Sequence, residues 1–174
     1  MLSLKNITDE EHKEELQQMI LNYYDEVTKK DDLNCLPWSI LRSQIEIVKE
    51  QSTEQLEALY SNQSGLEKRI ALGIYNDDSL IGFASTAIFA DKEGGIYQIY
   101  IKDSFRHLFE DNKDQIKSAE LSEIIDEYFK NRGAKGIYIE APYDIEYLLS
   151  LIKNMGFRMT KDYPDAIEMH KEIK

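Results

Sequence analysis

The sequence predicts an α/β (α+β) fold, a mixed and mostly antiparallel central sheet flanked by helices. Three observations predict it. Apolar residues recur at helical spacing between Leu16 and Val27. From Arg69 to Phe89 the period falls to two, in runs rich in Ile, Leu, Phe and Ala. Then comes a strand–loop–helix–strand unit: Ile96 to Lys102, a charged loop from Asp103, a helix ending at Asn131-Arg132-Gly133, and Ile137 to Glu140. A helical crossover joins parallel strands, so these two are expected to be parallel.

The elements follow in order. Leu2 to Ile7 alternates apolar and polar side chains, as a short strand does. Thr8 with Glu11 forms a capping box that opens a helix carrying Leu16, Met19, Ile20, Tyr23 and Val27 on one stripe. Pro37 suits the first turn of a second helix with Ile40, Leu41, Ile45 and Val48. Ser52 and Gln55 either cap a further segment or sit within that helix, and Ser61 to Gly65 is a break. Asn76-Asp77-Asp78-Ser79 is a turn between two strands, an antiparallel hairpin. Ala90 to Gly95 turns again into the central strand. The next helix places Leu121, Ile124, Ile125 and Tyr128 on one face and stops at Gly133. Asp144 caps a last helix that stops at Gly156, and two short strands flank Asp162 to Asp165. No repeat or linker interrupts residues 1–174, which are expected to form one domain.

Composition narrows the function. Hydrophobic content of 42% belongs to a folded chain rather than a disordered one. No apolar run approaches the ~18 residues that cross a bilayer, and Met1 to Asn6 is too polar for a secretion signal. Cys35 has no second cysteine to pair with. A cytoplasmic protein without membrane contact is the expectation. Net charge of −12 argues against nucleic acid, whose phosphates need clustered Lys and Arg. The acid is concentrated early, with 13 Asp/Glu against 6 Lys/Arg in residues 1–65. That bias suits solubility, or a cationic partner such as an amine.

The most specific residues lie in the second half. "IYQIYIKDSFR" at 96–106, "LSEIIDEYFKNRGAKGIYIE" at 121–140 and "IKNMGF" at 152–157 together resemble the GNAT acyl-CoA N-acyltransferase family. The resemblance implies the fold above, acetyl-CoA as the acyl donor, and a small-molecule or peptide amine as acceptor; homodimers would be unsurprising. It also implies that strand amides of Ile99, Tyr100 and Ile101 hold the pantetheine and the carbonyl. The family's pyrophosphate loop, Arg/Gln-x-x-Gly-x-Gly/Ala, starts at Arg106 counted from the strand. Counted back from Gly133, it falls on Lys113 to Ser118, which puts Ile116, Lys117 and Ser118 at the phosphates. The unpaired N–H groups of a helix start favour an anion there. Two departures stand out. Both loop glycines are missing, and residues 102–118 carry four basic against four acidic side chains. The family's proton-donating tyrosine, five residues before the Phe of the Gly-Phe pair, is replaced by Ile152.

Moving an acyl group from thioester to amine needs a neutral amine, a stabilised oxyanion and a proton for the thiolate. Glu140, at a strand end, is a candidate base, and Tyr97 or Tyr147 a candidate acid. Each also has an ordinary structural role: a solvated carboxylate, or a packed phenol. No metal is indicated, since His12, His107 and His170 lack ligand spacing, and Asp111 to Ser122 has Ile116 where a calcium loop needs glycine. Two functions are therefore expected from this sequence: an acetyl-CoA-dependent N-acetyltransferase, or a catalytically silent binding module on the same fold.

Overall fold

The computed structural model describes residues 1–7, 10–29, 70–110, 116–142, 145–164 and 166–173. Its strands are β1 (Leu2–Asn6), β2 (Ile70–Asn76), β3 (Ser79–Ile88), β4 (Gly94–Ile101), β5 (Gly136–Pro142), β6 (Arg158–Asp162) and β7 (Ala166–Glu172). Its helices are α1 (Glu10–Lys29), α2 (Asp103–Glu110), α3 (Ile116–Lys130) and α4 (Glu146–Asn154). The expected cap at Thr8, the helix opened by Pro37, Cys35, the segment from Ser52, the break at Ser61 to Gly65 and the cap at Asp144 lie outside the described residues.

The seven strands among the described residues join one sheet, in the order β1-β2-β3-β4-β5-β7-β6. Every neighbouring pair is antiparallel except β4 and β5, which are parallel, as the crossover between them requires. The expected hairpin is there, with Asp77 at φ 54° in its turn. Both expected glycine stops are there too. Gly133 and Gly156 sit at φ 80° and 90°, and Ala134 and Phe157 N–H groups reach back to Phe129 and Ile152 carbonyls at 3.1 and 3.3 Å. That is the Schellman closure, which glycine alone enters without strain.

The charged stretch from Asp103, expected to be a loop, is helix α2. Phe105, Leu108 and Phe109 share one side of it at i, i+3, i+4 spacing, and Phe109 is buried. Asp103 stands in the first turn, where the dipole favours it, and holds Arg106 one turn on at 2.7 Å. A short apolar face and a favourable start outweigh the charge that made this segment read as a loop.

The two faces of the sheet carry different helices. On one, Thr86 Oγ1 meets Tyr128 OH of α3 at 3.2 Å, and the Phe129 ring covers Gly94 so closely that a Cβ there would run into it. On the other, Tyr23 of α1 packs edge-on to Phe83 at 6.4 Å, and Phe83 lies beside Tyr100. The core between them holds Met19, Ile20, Phe83, Ile99, Leu121, Ile125, Ile137 and Leu148, all nearly free of solvent. Each such side chain contributes about 1.5–3 kcal/mol on burial.

Two bulges bend the middle of the sheet. Ile81 is the extra residue of β3 against β2, and Tyr97 is the extra residue of β4 against β3. Next to the first, Gly82 lies against the chain of β4, so that a Cβ would overlap the Tyr100 carbonyl oxygen. Backbone cannot swing aside as a side chain can. Gly82→Ala is expected to lower stability by about 2 kcal/mol or more in urea unfolding. A loss below about 0.5 kcal/mol would contradict this placement of β3 on β4.

Candidate functional site

The site begins where a ladder stops. β4 and β5 pair only through Gly94↔Ile137, Gly95↔Tyr138 and Ile96↔Ile139. From Tyr97 to Ile101 the strand has β3 on one side and no β5 partner on the other. Main-chain groups alternate sides along a strand. The Lys102 N–H donates to Ile81 O at 2.9 Å, so Lys102 faces β3, and Tyr100 with it. Ile99 and Ile101 therefore turn their N–H and C=O groups into the opening. The Ile101 carbonyl indeed accepts from Arg106 Nε at 3.0 Å, on that side. Of the three residues whose amides the resemblance points to, two face the opening and Tyr100 does not.

At the far end of the opening Arg106 gathers four elements. Besides Ile101 of β4, its guanidinium meets Glu26 of α1 and Asp103 of its own helix, and stacks on Tyr147 of α4 at 3.7 Å from the ring centre. Tyr147 OH in turn donates to the other Glu26 oxygen at 3.4 Å. Burial raises the Tyr147 phenol well above its ordinary range, and the Glu26 carboxylate raises it further. Tyr100, which bonds Asn22 of α1, is raised by the same two causes in the same order. Burial opposes the charge of Arg106, but Glu26, Tyr147 and Asp103 together outweigh it and hold the group more firmly charged. One turn nearer the strand, Lys102 binds Glu15 and the Leu80 carbonyl. Glu15, Asn22 and Glu26, seven and four residues apart, make a polar edge of α1 directed at the end of β4.

A second feature lies at the start of the opening, on the side away from α3. A cleft of about 410 Å³ is walled by Phe89, Tyr97 and Tyr138 and carries Asp91, Glu140 and Glu168. Glu140 and Glu168 stand directly opposite one another on β5 and β7. Like charges so placed repel, and no Lys or Arg lines the cleft among the described residues. Thr160 donates to Glu168 at 2.8 Å, while Phe89 and Tyr97 meet edge to face at 6.2 Å. Lys161 on β6 stands opposite Glu168 from the other side and partly answers its charge, so the pull on a cation falls chiefly to Glu140 and Asp91 beside the aromatic walls.

The sequence-predicted residues thus divide into three places. Tyr97 and Glu140 share the cleft, at the bulge where the ladder ends. Ile99, Ile101, Arg106 and Tyr147 meet at the opening. Ile116, Lys117 and Ser118 stand apart from both, because the start of α3 is tied to β1 and β2. Lys117 bonds Glu120 at 2.8 Å and Asn76 at 3.4 Å, Glu120 takes the Leu2 N–H, Ile116 is 62% exposed, and Ser118 is fully buried. Ile152, at the family's tyrosine position, is fully buried as well. The residues that sequence reasoning passed over are Glu26, Asn22, Tyr138 and Glu168. The signal for the first two was present, since Glu15, Asn22 and Glu26 fall at helical spacing along one edge of the apolar stripe of α1. The last two needed the strand register. No trio of His, Cys, Asp or Glu placed for a metal occurs among the described residues. Nor is any described helix long and apolar enough to cross a membrane.

Known proteins give this geometry a frame. The sequence profile described as "Acetyltransferase (GNAT) domain" matches residues 21–173. No curated protein matches the chain. Among solved structures, the PaiA N-acetyltransferase from Thermoplasma acidophilum in complex with coenzyme A is 20% identical, with TM-score 0.67 and 99% of both chains covered. A GNAT-family acetyltransferase from Staphylococcus aureus is 17% identical, with TM-score 0.64 and all of both chains covered. Spermidine N-acetyltransferase from Vibrio cholerae, in complex with CoA and spermine, is 14% identical, with TM-score 0.63, covering 99% of this chain and 95% of its own. At these identities the likeness is one of fold.

The raised phenol has a direct readout. Absorbance at the tyrosinate band, titrated through the ordinary phenol range near about 10, should have the same amplitude in Tyr147→Phe as in the parent chain. Loss of one tyrosinate's worth of signal in that range would show that Tyr147 ionises normally and is not held against Glu26.

Proposed function

The chain belongs to the GNAT acetyltransferase domain family, and we propose that it moves an acetyl group from acetyl-CoA to the amine of a small cationic molecule or peptide. One observation carries this: β4 leaves β5 after Ile96↔Ile139 and turns the main chain of Ile99 and Ile101 into the gap. Strand N–H groups without a strand partner suit the amide-rich pantetheine arm and a thioester carbonyl. They need no particular side chain to do it, so the loss of the loop glycines leaves this part of the reaction intact.

In this reading the acceptor lies in the cleft beside Tyr97 and the donor reaches it through the opening. The three carboxylates and aromatic walls hold an ammonium group. Glu140 takes the proton that the amine must lose, directly or through one water. The amine nitrogen attacks the thioester carbonyl, and the main-chain N–H groups in the gap stabilise the oxygen as it becomes negative. The carbon–sulfur bond then breaks and the thiolate takes a proton. Tyr97, on the wall of the cleft where the ladder ends, is the candidate to give that proton. Spermine in the Vibrio cholerae relative is a ligand of the same cationic kind.

A second reading keeps the fold without the chemistry. It is favoured by the start of α3, where Lys117 is engaged with Asn76 and Glu120, Ser118 is fully buried and both loop glycines are missing. Release of CoA thiol separates the two. An enzyme liberates it from acetyl-CoA with some member of a panel of polyamines, amino sugars and peptides, and a silent module does so with none.

Where an acceptor is found, Glu140→Gln is expected to lower kcat/KM by about 10²-fold while leaving acetyl-CoA affinity unchanged. Activity within about threefold of the parent would remove Glu140 from the reaction.

A further inference from the structure

The cluster around Arg106 does more than join neighbours in sequence. Glu26 lies on α1, Ile101 at the end of β4, and Tyr147 on α4, which follows β5. Arg106 therefore ties the end of β4 to α1 and to α4, the helix that follows β5. Its helix α2 also packs directly against α4.

We propose that α2 is a gate over the opening, latched by Arg106 on Glu26 and Tyr147, and released when a phosphate of acyl-CoA takes the place of Glu26. This rests on the acyl-CoA reading above. While latched, the guanidinium is already met by the two carboxylates of Glu26 and Asp103 and by the Ile101 carbonyl, which leaves it less charge and fewer donors for an anion. Phosphate matches the planar fork of arginine as well as carboxylate does, and carries more charge. The exchange breaks no covalent bond: Glu26 returns to water as Arg106 turns to the ligand. The stack on Tyr147 survives it, since a ring face and an anion occupy different sides of the guanidinium plane.

A latch of this kind makes a clear demand. If the ligand must first displace Glu26, its apparent affinity falls to the intrinsic affinity multiplied by the fraction of molecules already open. Removing the charge of Glu26 then strengthens binding instead of weakening it. Loss of a nearby negative charge also favours an anion, so the gate further requires tightening in Tyr147→Phe, which loosens Glu26 with no change of charge. Calorimetry with acetyl-CoA would be run on the parent, on Glu26→Gln, and on Glu14→Gln, which removes the same charge from an exposed position of the same helix. The gate requires Glu26→Gln to bind at least about threefold more tightly than the parent, with Glu14→Gln close to the parent. Equal or weaker binding by Glu26→Gln, or equal tightening in both variants, overturns the gate and leaves the acyl-CoA reading standing. No heat from any of the three, with circular dichroism showing all folded, overturns both. If Glu26→Gln does not fold, Tyr147→Phe serves, because it loses the bond to Glu26 and keeps the ring. Tightening is expected there as well, and its absence counts against the gate in the same way.

Discussion

Three residue pairs hold β4 to β5, and the whole site follows from the ladder ending there. A parallel pair would ordinarily run on, because every unpaired N–H and C=O in a sheet interior forgoes a partner. Here continuation is prevented from within β4. The extra residue at Tyr97 adds local twist on the β3 side, and the strand swings away just past it. Below the bulge, Phe129 seated on Gly94 and Phe89 seated on Gly95 keep the last pairs in place. The strands are thus clamped at one end and free at the other, a wedge built from backbone and two glycines.

Charge is arranged about that wedge with two opposite signs in view. The cleft at the closed end is acidic and aromatic, with Glu140 set against Glu168 across two strands. The open end carries Lys102 and Arg106, each already answered by a carboxylate of α1. A cationic acceptor and a polyanionic donor would each find a suitable end, and they would meet near Tyr97. The acidity of the chain, which as a bulk property speaks only of solubility, becomes specific through these few carboxylates. Partly buried pairs such as Arg106–Glu26 hold elements in register more than they add stability, since desolvation offsets much of their attraction.

Much of this was legible in the amino-acid sequence. The parallel crossover followed from strand, helix and strand in a row, and the ends of α3 and α4 from Gly133 and Gly156. The hairpin turn at Asp77 followed from four turn-forming residues. Helix α2 was not legible. Its eight residues are too few for periodicity to speak over Asp103, Arg106, His107 and Glu110. Nor was the meeting of Glu26 with Arg106, 80 residues apart, since sequence gives no distance between a helix and a later strand. Glu168 facing Glu140 needed a register, which one slipped residue would have reversed. The two motif counts, from the strand and from Gly133, land on different ground because α2 stands between the end of β4 and the start of α3.

The central claim is that acetyl-CoA lies in the gap beside Ile99 and Ile101. Amide-resolved NMR with added acetyl-CoA tests it most directly. The account requires the largest and saturable shifts at the amides of Ile99 and Ile101 and in α2. Shifts confined to the start of α3, or none at millimolar ligand, would contradict it.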